Sequence, residues 1–262
     1  MTQGQDLSSL PPAGGRWLEA HHRAKLRERR AFCQHLAALR PSRVLDVGCG
    51  TGLWLDVLNE ILPPDCEFIG LDSNESSLAE ASQRSETWPR QASFQQVDLN
   101  APPFTLPDAD LTLMFNVSSY LGQLDHLLDS LARRPGHVVV RQYDGGGMRF
   151  GPMSSDDRVL IESSLRVAMT ESHEFRHYDL DRLYASIERA PFTQRDFSFA
   201  LFERSSPFPD EFTDYFAGTM SWMLDCLPAP ASERLRSWWS ARQQDPSLPT
   251  YFIEVDLCAM LS

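Results

Sequence analysis

The stretch Val44-Leu45-Asp46-Val47-Gly48-Cys49-Gly50-Thr51-Gly52 constrains this chain more than any other. An apolar run ending in an acid reads as a short buried strand, and a glycine-rich turn follows it. Leu53, Trp54, Leu55, Val57 and Leu58 then supply the apolar positions of a helix. Glycine is needed at such a turn because the chain must reverse sharply and a ligand must come close to bare backbone. The spacing is Gly-x-Gly-x-Gly. It is not the Gly-x-Gly-x-x-Gly of dinucleotide sites, whose third glycine packs helix against strand.

The downstream spacing extends the pattern. Phe68-Ile69-Gly70-Leu71-Asp72 is a second apolar strand ending in an acid, twenty residues beyond Gly52. In nucleotide-binding α/β sheets an acid at about that distance accepts hydrogen bonds from ribose hydroxyls. Phe94 to Leu99 reads as a third strand carrying the acid Asp98, and Asp110 to Asn116 as a fourth. Arg134-Pro135-Gly136-His137 followed by Val138-Val139-Val140 reads as the turn into a fifth. Helices alternate with these strands as far as about Tyr143, which predicts a parallel, doubly wound sheet.

This order of strands and acids resembles the class I S-adenosylmethionine (SAM)-dependent methyltransferases, with Asp46 to Gly52 matching their motif I. The resemblance covers roughly residues 30 to 145. It implies a doubly wound, Rossmann-like α/β fold, with a mostly parallel seven-stranded sheet and helices on both faces, plus α-helical cap insertions. SAM, or S-adenosylhomocysteine (SAH), is the implied cofactor. The resemblance places Asp46 near the methionine amine, and Gly48, Cys49, Gly50 and Gly52 beneath the amino acid and ribose. It places Asp72 with Ser73 at the ribose, Asp98 with Leu99 at adenine, Asn116 facing the methyl group, and Tyr120 beside the cofactor. Amino-methyltransferases of nucleobases or glutamine tend to follow the fourth strand with Asn or Asp, then Pro-Pro and an aromatic. Here Asn116 is followed by Val117-Ser118-Ser119-Tyr120, so nucleobase methylation is not expected.

Composition narrows the class. The 262 residues suffice for one sizeable core plus a cap. No apolar run reaches the roughly eighteen residues of a membrane-spanning helix. Residues 1–6 lack the basic and apolar regions of a signal peptide, and five cysteines without a Cys-x-x-Cys pair suit reduced thiols. A cytoplasmic protein is expected. A net charge of −12 disfavours nucleic acid as a partner and suits a neutral or cationic small substrate, including an amino-acid-like one. No membrane partner is expected, while homo- or hetero-oligomerisation stays open.

The breakers set the organisation. Residues 1–40 read as a Ser/Gly/Pro-rich lead and a helix from Arg16 to Leu39, a candidate lid carrying Trp17. Residues 41–204 and 250–262 read as the SAM-binding core, with a helix over about 156–169 and another before Pro191. Alternation at Arg195 to Phe202 and at Tyr251 to Leu261 predicts the sixth and seventh strands, the last inserted antiparallel. Between them, 205–249 is too long for a plain loop and holds Phe208, Phe212, Tyr215, Phe216, Trp222, Trp238 and Trp239. Such aromatics either line a substrate cap, with Tyr215 and Trp222 as contacts, or pack the insertion's own small core.

Two constellations bear on chemistry. Arg141, Tyr143 and Asp144 sit at the carboxyl end of the fifth strand, where α/β sheets bind ligands. Arg141 could clamp a substrate carboxylate with its rigid fork and Asp144 could hold an amine. Against this stands an internal Arg141–Asp salt bridge. His173-Glu174-Phe175-Arg176-His177 matches the zinc-protease His-Glu-x-x-His pattern, but its flanks are polar and no third-ligand pattern follows. No metal is expected, and His173 or His177 is read as a substrate-facing base. The expectation is a SAM-dependent methyltransferase acting at oxygen or nitrogen of a small metabolite in natural-product biosynthesis. The alternative is a non-methylating cyclisation or elimination on the same fold, with or without a partner subunit.

Overall fold

The computed structural model describes residues 15–101, 103–171 and 180–262, with side chains from Leu18 onward. The chain divides into two compact units. One comprises Leu26–Tyr143, Leu180–Ala200 and Asp256–Ser262, and the other the described residues of Met1–Lys25, Asp144–Asp179 and Leu201–Val255.

The larger sequence block forms the first of these. Its strands are β1 (Arg43–Val47), β2 (Glu67–Asp72), β3 (Ala92–Gln96), β4 (Leu111–Phe115) and β5 (His137–Tyr143). All pair in parallel. The chain winds outward from β1 to β2 and β3, then returns to lay β4 and β5 on the other side. The winding therefore reverses between β1 and β4, and the crevice at such a reversal is where open α/β sheets bind ligands. Central strands are covered on both faces and so read as unbroken apolar runs. All four residues from Val44 to Val47 are buried, the acid Asp46 included.

Helices cover both faces. On one, α5 (Leu124–Ala132) presents Leu124, Leu127, Leu128 and Leu131 at helical spacing, beside Leu183 and Ile187 of α7 (Leu180–Arg189). On the other, α2 (Leu26–Ala37) and α3 (Leu53–Asn59) bury Cys33, Leu36, Trp54, Leu55 and Leu58. The helix α4 (Glu75–Ser85) is capped by Asn74, whose side chain accepts the Ser77 N–H. The single helix expected over 16–39 is two, with Lys25 alone separating α1 (Gly15–Ala24) from α2.

The strands β7 (Arg195–Ser205) and β8 (Tyr251–Leu261) each run from one unit into the other. In the sheet unit, Asp256 to Leu261 of β8 pair antiparallel with β5, as expected for the last strand. The expected seven strands are eight among the described residues: β6 (Arg149–Gly151) pairs with the first residues of β8. Gly145 to Gly147 lie in the turn that leads the chain into this extra strand.

The second unit is built on α1, α6 (Ser155–Glu171), α8 (Asp210–Cys226) and α9 (Ala231–Gln244). Within it α6 packs with α8 and α9. Phe212, Tyr215 and Phe216 of α8 are buried against Phe252, and Phe150 lies 5.0 Å from the Trp238 ring. Glu254 of β8 is wholly buried. It holds an ion pair with buried Lys25 and accepts the Tyr215 hydroxyl at 2.7 Å. A buried carboxylate needs such partners to offset its desolvation.

Candidate functional site

The turn after β1 takes its shape from three glycines with positive φ, Gly48 (75°), Gly50 (52°) and Gly52 (78°). At Gly48 the requirement is double. Any Cβ there would lie 2.3 Å from Val117 just past β4, so the two strand ends approach only across bare backbone. The Gly48 and Cys49 N–H groups both donate to the Leu71 carbonyl, at 2.7 and 2.9 Å. The Gly50 N–H donates to Asp72 Oδ2 at 2.8 Å, while Asp72 Oδ1 accepts the Asn74 N–H at 2.9 Å. Asp72 thus ties the glycine turn to the start of α4 and keeps further acceptor capacity.

Below the turn lies Asp46, only 1% exposed on the central strand. Its Oδ2 has no hydrogen-bond partner among the described residues. Burial, reinforced by the charge of Asp72, pushes its carboxyl up to about 7. Thr51 (3% exposed) and Ser119 (2%) likewise hold buried hydroxyls without partners among the described residues. Buried polar atoms are normally satisfied, so each exception calls for an explanation. All three lie in the turn, or in strand-end segments that β1 and β4 bring side by side. Sequence reading singled out Asp46 but passed over Thr51 and Ser119. Thr51 stands inside the glycine motif itself, the one signal that could have flagged it.

The remaining cofactor candidates differ in setting. Asp98 lies two residues past the end of β3, exposed, with its Oδ1 accepting the Asn100 N–H. The strand expected to reach it stops at Gln96. Leu99 is buried. Ser73 is exposed between β2 and Asn74. Asn116 adopts φ 56°, uncommon for a residue with a side chain, and its Oδ1 accepts the Tyr143 N–H at 3.3 Å. Beside it Ser118 Oγ donates to Gln142 at 2.8 Å, stitching the ends of β4 and β5. Tyr120 ends a single 3-10 turn and is 43% exposed.

At the end of β5 the two sequence readings of Arg141 separate. Its guanidinium is buried and meets Asp256 of β8 at 2.6–2.7 Å through two nitrogens. It also lies 4.8 Å from the Phe32 ring centroid. The geometry is the internal salt bridge, the second of the two sequence readings of Arg141. Tyr143 is half-buried, and Asp144 Oδ1 accepts the Gly146 N–H at 3.0 Å. Tyr215 is likewise part of a core, as described above, and Trp222 is half-buried on α8. The Trp17 side chain, and His173 and His177 with their motif, lie outside the described residues. Among those described, no cluster of side chains is suited to a metal, and no helix is long and apolar enough to cross a membrane.

Residues 44–134 match the model of a family described as a methyltransferase domain. In structure the chain is similar to the YcgJ protein of Bacillus subtilis, with 14% identity, a TM-score of 0.56, and coverage of 90% of this chain and 98% of the other. It is similar also to BH2331 of Bacillus halodurans C-125, with 14% identity, a TM-score of 0.54, and coverage of 88% and 97%. A phosphoethanolamine N-methyltransferase 2 of Haemonchus contortus, solved with phosphomonomethylethanolamine and SAH, matches at 15% identity. Its TM-score is 0.52, with coverage of 93% of this chain and 56% of the other. No curated protein matches the sequence. The class is therefore a methyltransferase fold with its mostly parallel sheet. The match to a methyltransferase domain covers residues 44–134, the stretch that holds the glycine turn and its acids.

Proposed function

We propose that this protein is a SAM-dependent methyltransferase acting on a small metabolite at oxygen or nitrogen. The observation that carries the reading is the buried, unpartnered Asp46 Oδ2 beneath a turn of three positive-φ glycines, with Asp72 bound to the turn's Gly50 N–H. These groups fit the cofactor. Asp46 and Thr51 offer polar atoms lacking partners among the described residues, and Asp72 offers spare lone pairs for ribose hydroxyls.

SAM supplies a methyl group already activated by its sulfonium. The chain is left to bind, orient and exclude water. Asp46 would hold the methionine amine, Asp72 the ribose, and Asp98 with Leu99 the adenine, while the 116–120 segment would face the reacting group. The phosphoethanolamine enzyme supports a small, amine-bearing substrate by analogy of fold only. The net charge of −12 favours a cationic one.

The test is incubation with methyl-labelled SAM and a panel of small amines, phenols and carboxylic acids. Labelled product is the expected result. Product without label would replace this reading with the non-methylating one, and no product alongside tight SAM binding would point to a binding subunit.

A further inference from the structure

We propose that Asp46 is a proton-exchanging anchor: it holds a proton in the ligand-free protein and releases it when a cationic amine binds above it. The inference rests on the cofactor reading given under Proposed function and adds the charge state through which the site chooses its ligand.

The geometry is that of a carboxylate with nowhere to place its charge. Asp46 sits on the central strand, with Gly70 of β2 and Leu113 of β4 as register neighbours on either side. Its Oδ2 meets no donor among the described residues. The groups that face it are of the wrong kind to stabilise an anion. Asp72 of β2 is a second acid. Cys49 of the turn and Cys33 of α2 are buried thiols that burial holds neutral, Cys33 up to about 12. The nearby cations face Cys33 instead: Arg141 is held by Asp256, and Arg29 lies over the Trp54 ring at 4.5 Å. Two acids at one site with no shared cation leave one of them protonated.

A bound ammonium reverses the balance. The neutral carboxyl loses its proton to solvent, and the carboxylate so formed pairs with the ammonium, which keeps all its own protons. One proton leaves per ligand bound, and charge is conserved. Binding is then coupled to pH by linkage, and its affinity falls wherever the free site holds a proton that the complex does not. A ligand with the same nucleoside but no amine has nothing to displace that proton.

Calorimetric titration of the full chain with SAH tests this, in buffers of differing ionisation enthalpy from pH 6 to 8. Release of close to one proton per SAH is expected at pH 6, and little at pH 8. The dissociation constant should worsen by about tenfold per pH unit on the acid side. Methylthioadenosine, which lacks the amino-acid portion, should bind with no proton release and a flat pH profile. Asp46→Asn should remove the release on SAH binding. PH-independent SAH binding without proton release overturns the inference and leaves the cofactor reading standing. So does equal release with methylthioadenosine, or release retained in Asp46→Asn. Absence of SAH binding at every pH overturns the cofactor reading and this inference together.

Discussion

Asp46 combines a stability cost with the ligand-binding role proposed for it. Its carboxyl is raised from the ordinary range near 4 to about 7 by burial first and Asp72 second. Between those values the folded state holds a proton that the unfolded chain has lost. By linkage, stability therefore falls as pH rises from about 4 to about 7 and levels off above. Thermal unfolding of the ligand-free protein should show this decline, and Asp46→Asn should flatten it. An unchanged profile in the variant would assign the slope elsewhere. Asp72 makes a different prediction. It holds the Gly50 and Asn74 N–H groups and is proposed to bind the ribose, so Asp72→Ala should weaken SAH binding by about 1–3 kcal/mol, read by titration calorimetry. Wild-type affinity would remove Asp72 from the site.

At the scale of elements, the pairing of β5 with β8 explains why a charged residue follows Val138, Val139 and Val140. Arg141 and Asp256 are both buried, and a buried ion pair rarely adds net stability, yet breaking one side is costly. Arg141→Met leaves the Asp256 carboxylate without its arginine and should destabilise the protein by roughly 3–5 kcal/mol in urea unfolding. Arg141→Met combined with Asp256→Leu should recover much of that loss. A stable single variant with lost activity would instead restore the role in binding substrate. The strand pattern of β8 carried a warning of this kind. Phe252, Glu254 and Asp256 alternate onto one buried face, and two acids on a buried face demand partners. Sequence alone does not say which: Lys25 and Tyr215 meet Glu254, and Arg141 meets Asp256, from 39 to 229 residues away.

For the molecule as a whole, the division into two units sets where damage should appear. Phe212 of α8 is fully buried among Phe202, Phe208, Phe216 and Phe252. Phe212→Ala should cost about 3–5 kcal/mol. Hydrogen exchange should locate the loss in α1, α8 and α9, with the amides of β1 to β5 still protected. Uniform loss across both units would show that they unfold as one.

What the sequence determined by itself is the sheet and its glycine turn. Buried parallel strands must be apolar runs, and a turn that bares its backbone must be glycine, so both are written locally between Val44 and Val140. The roles of the later aromatics and charges were decided by tertiary structure. A tyrosine at helical spacing reads the same whether it lines a cap or fills a core, and only Glu254, brought up on β8, places Tyr215 in the core. The short β6 was illegible for the same reason, because three residues form a strand only when a partner such as β8 supplies the hydrogen bonds.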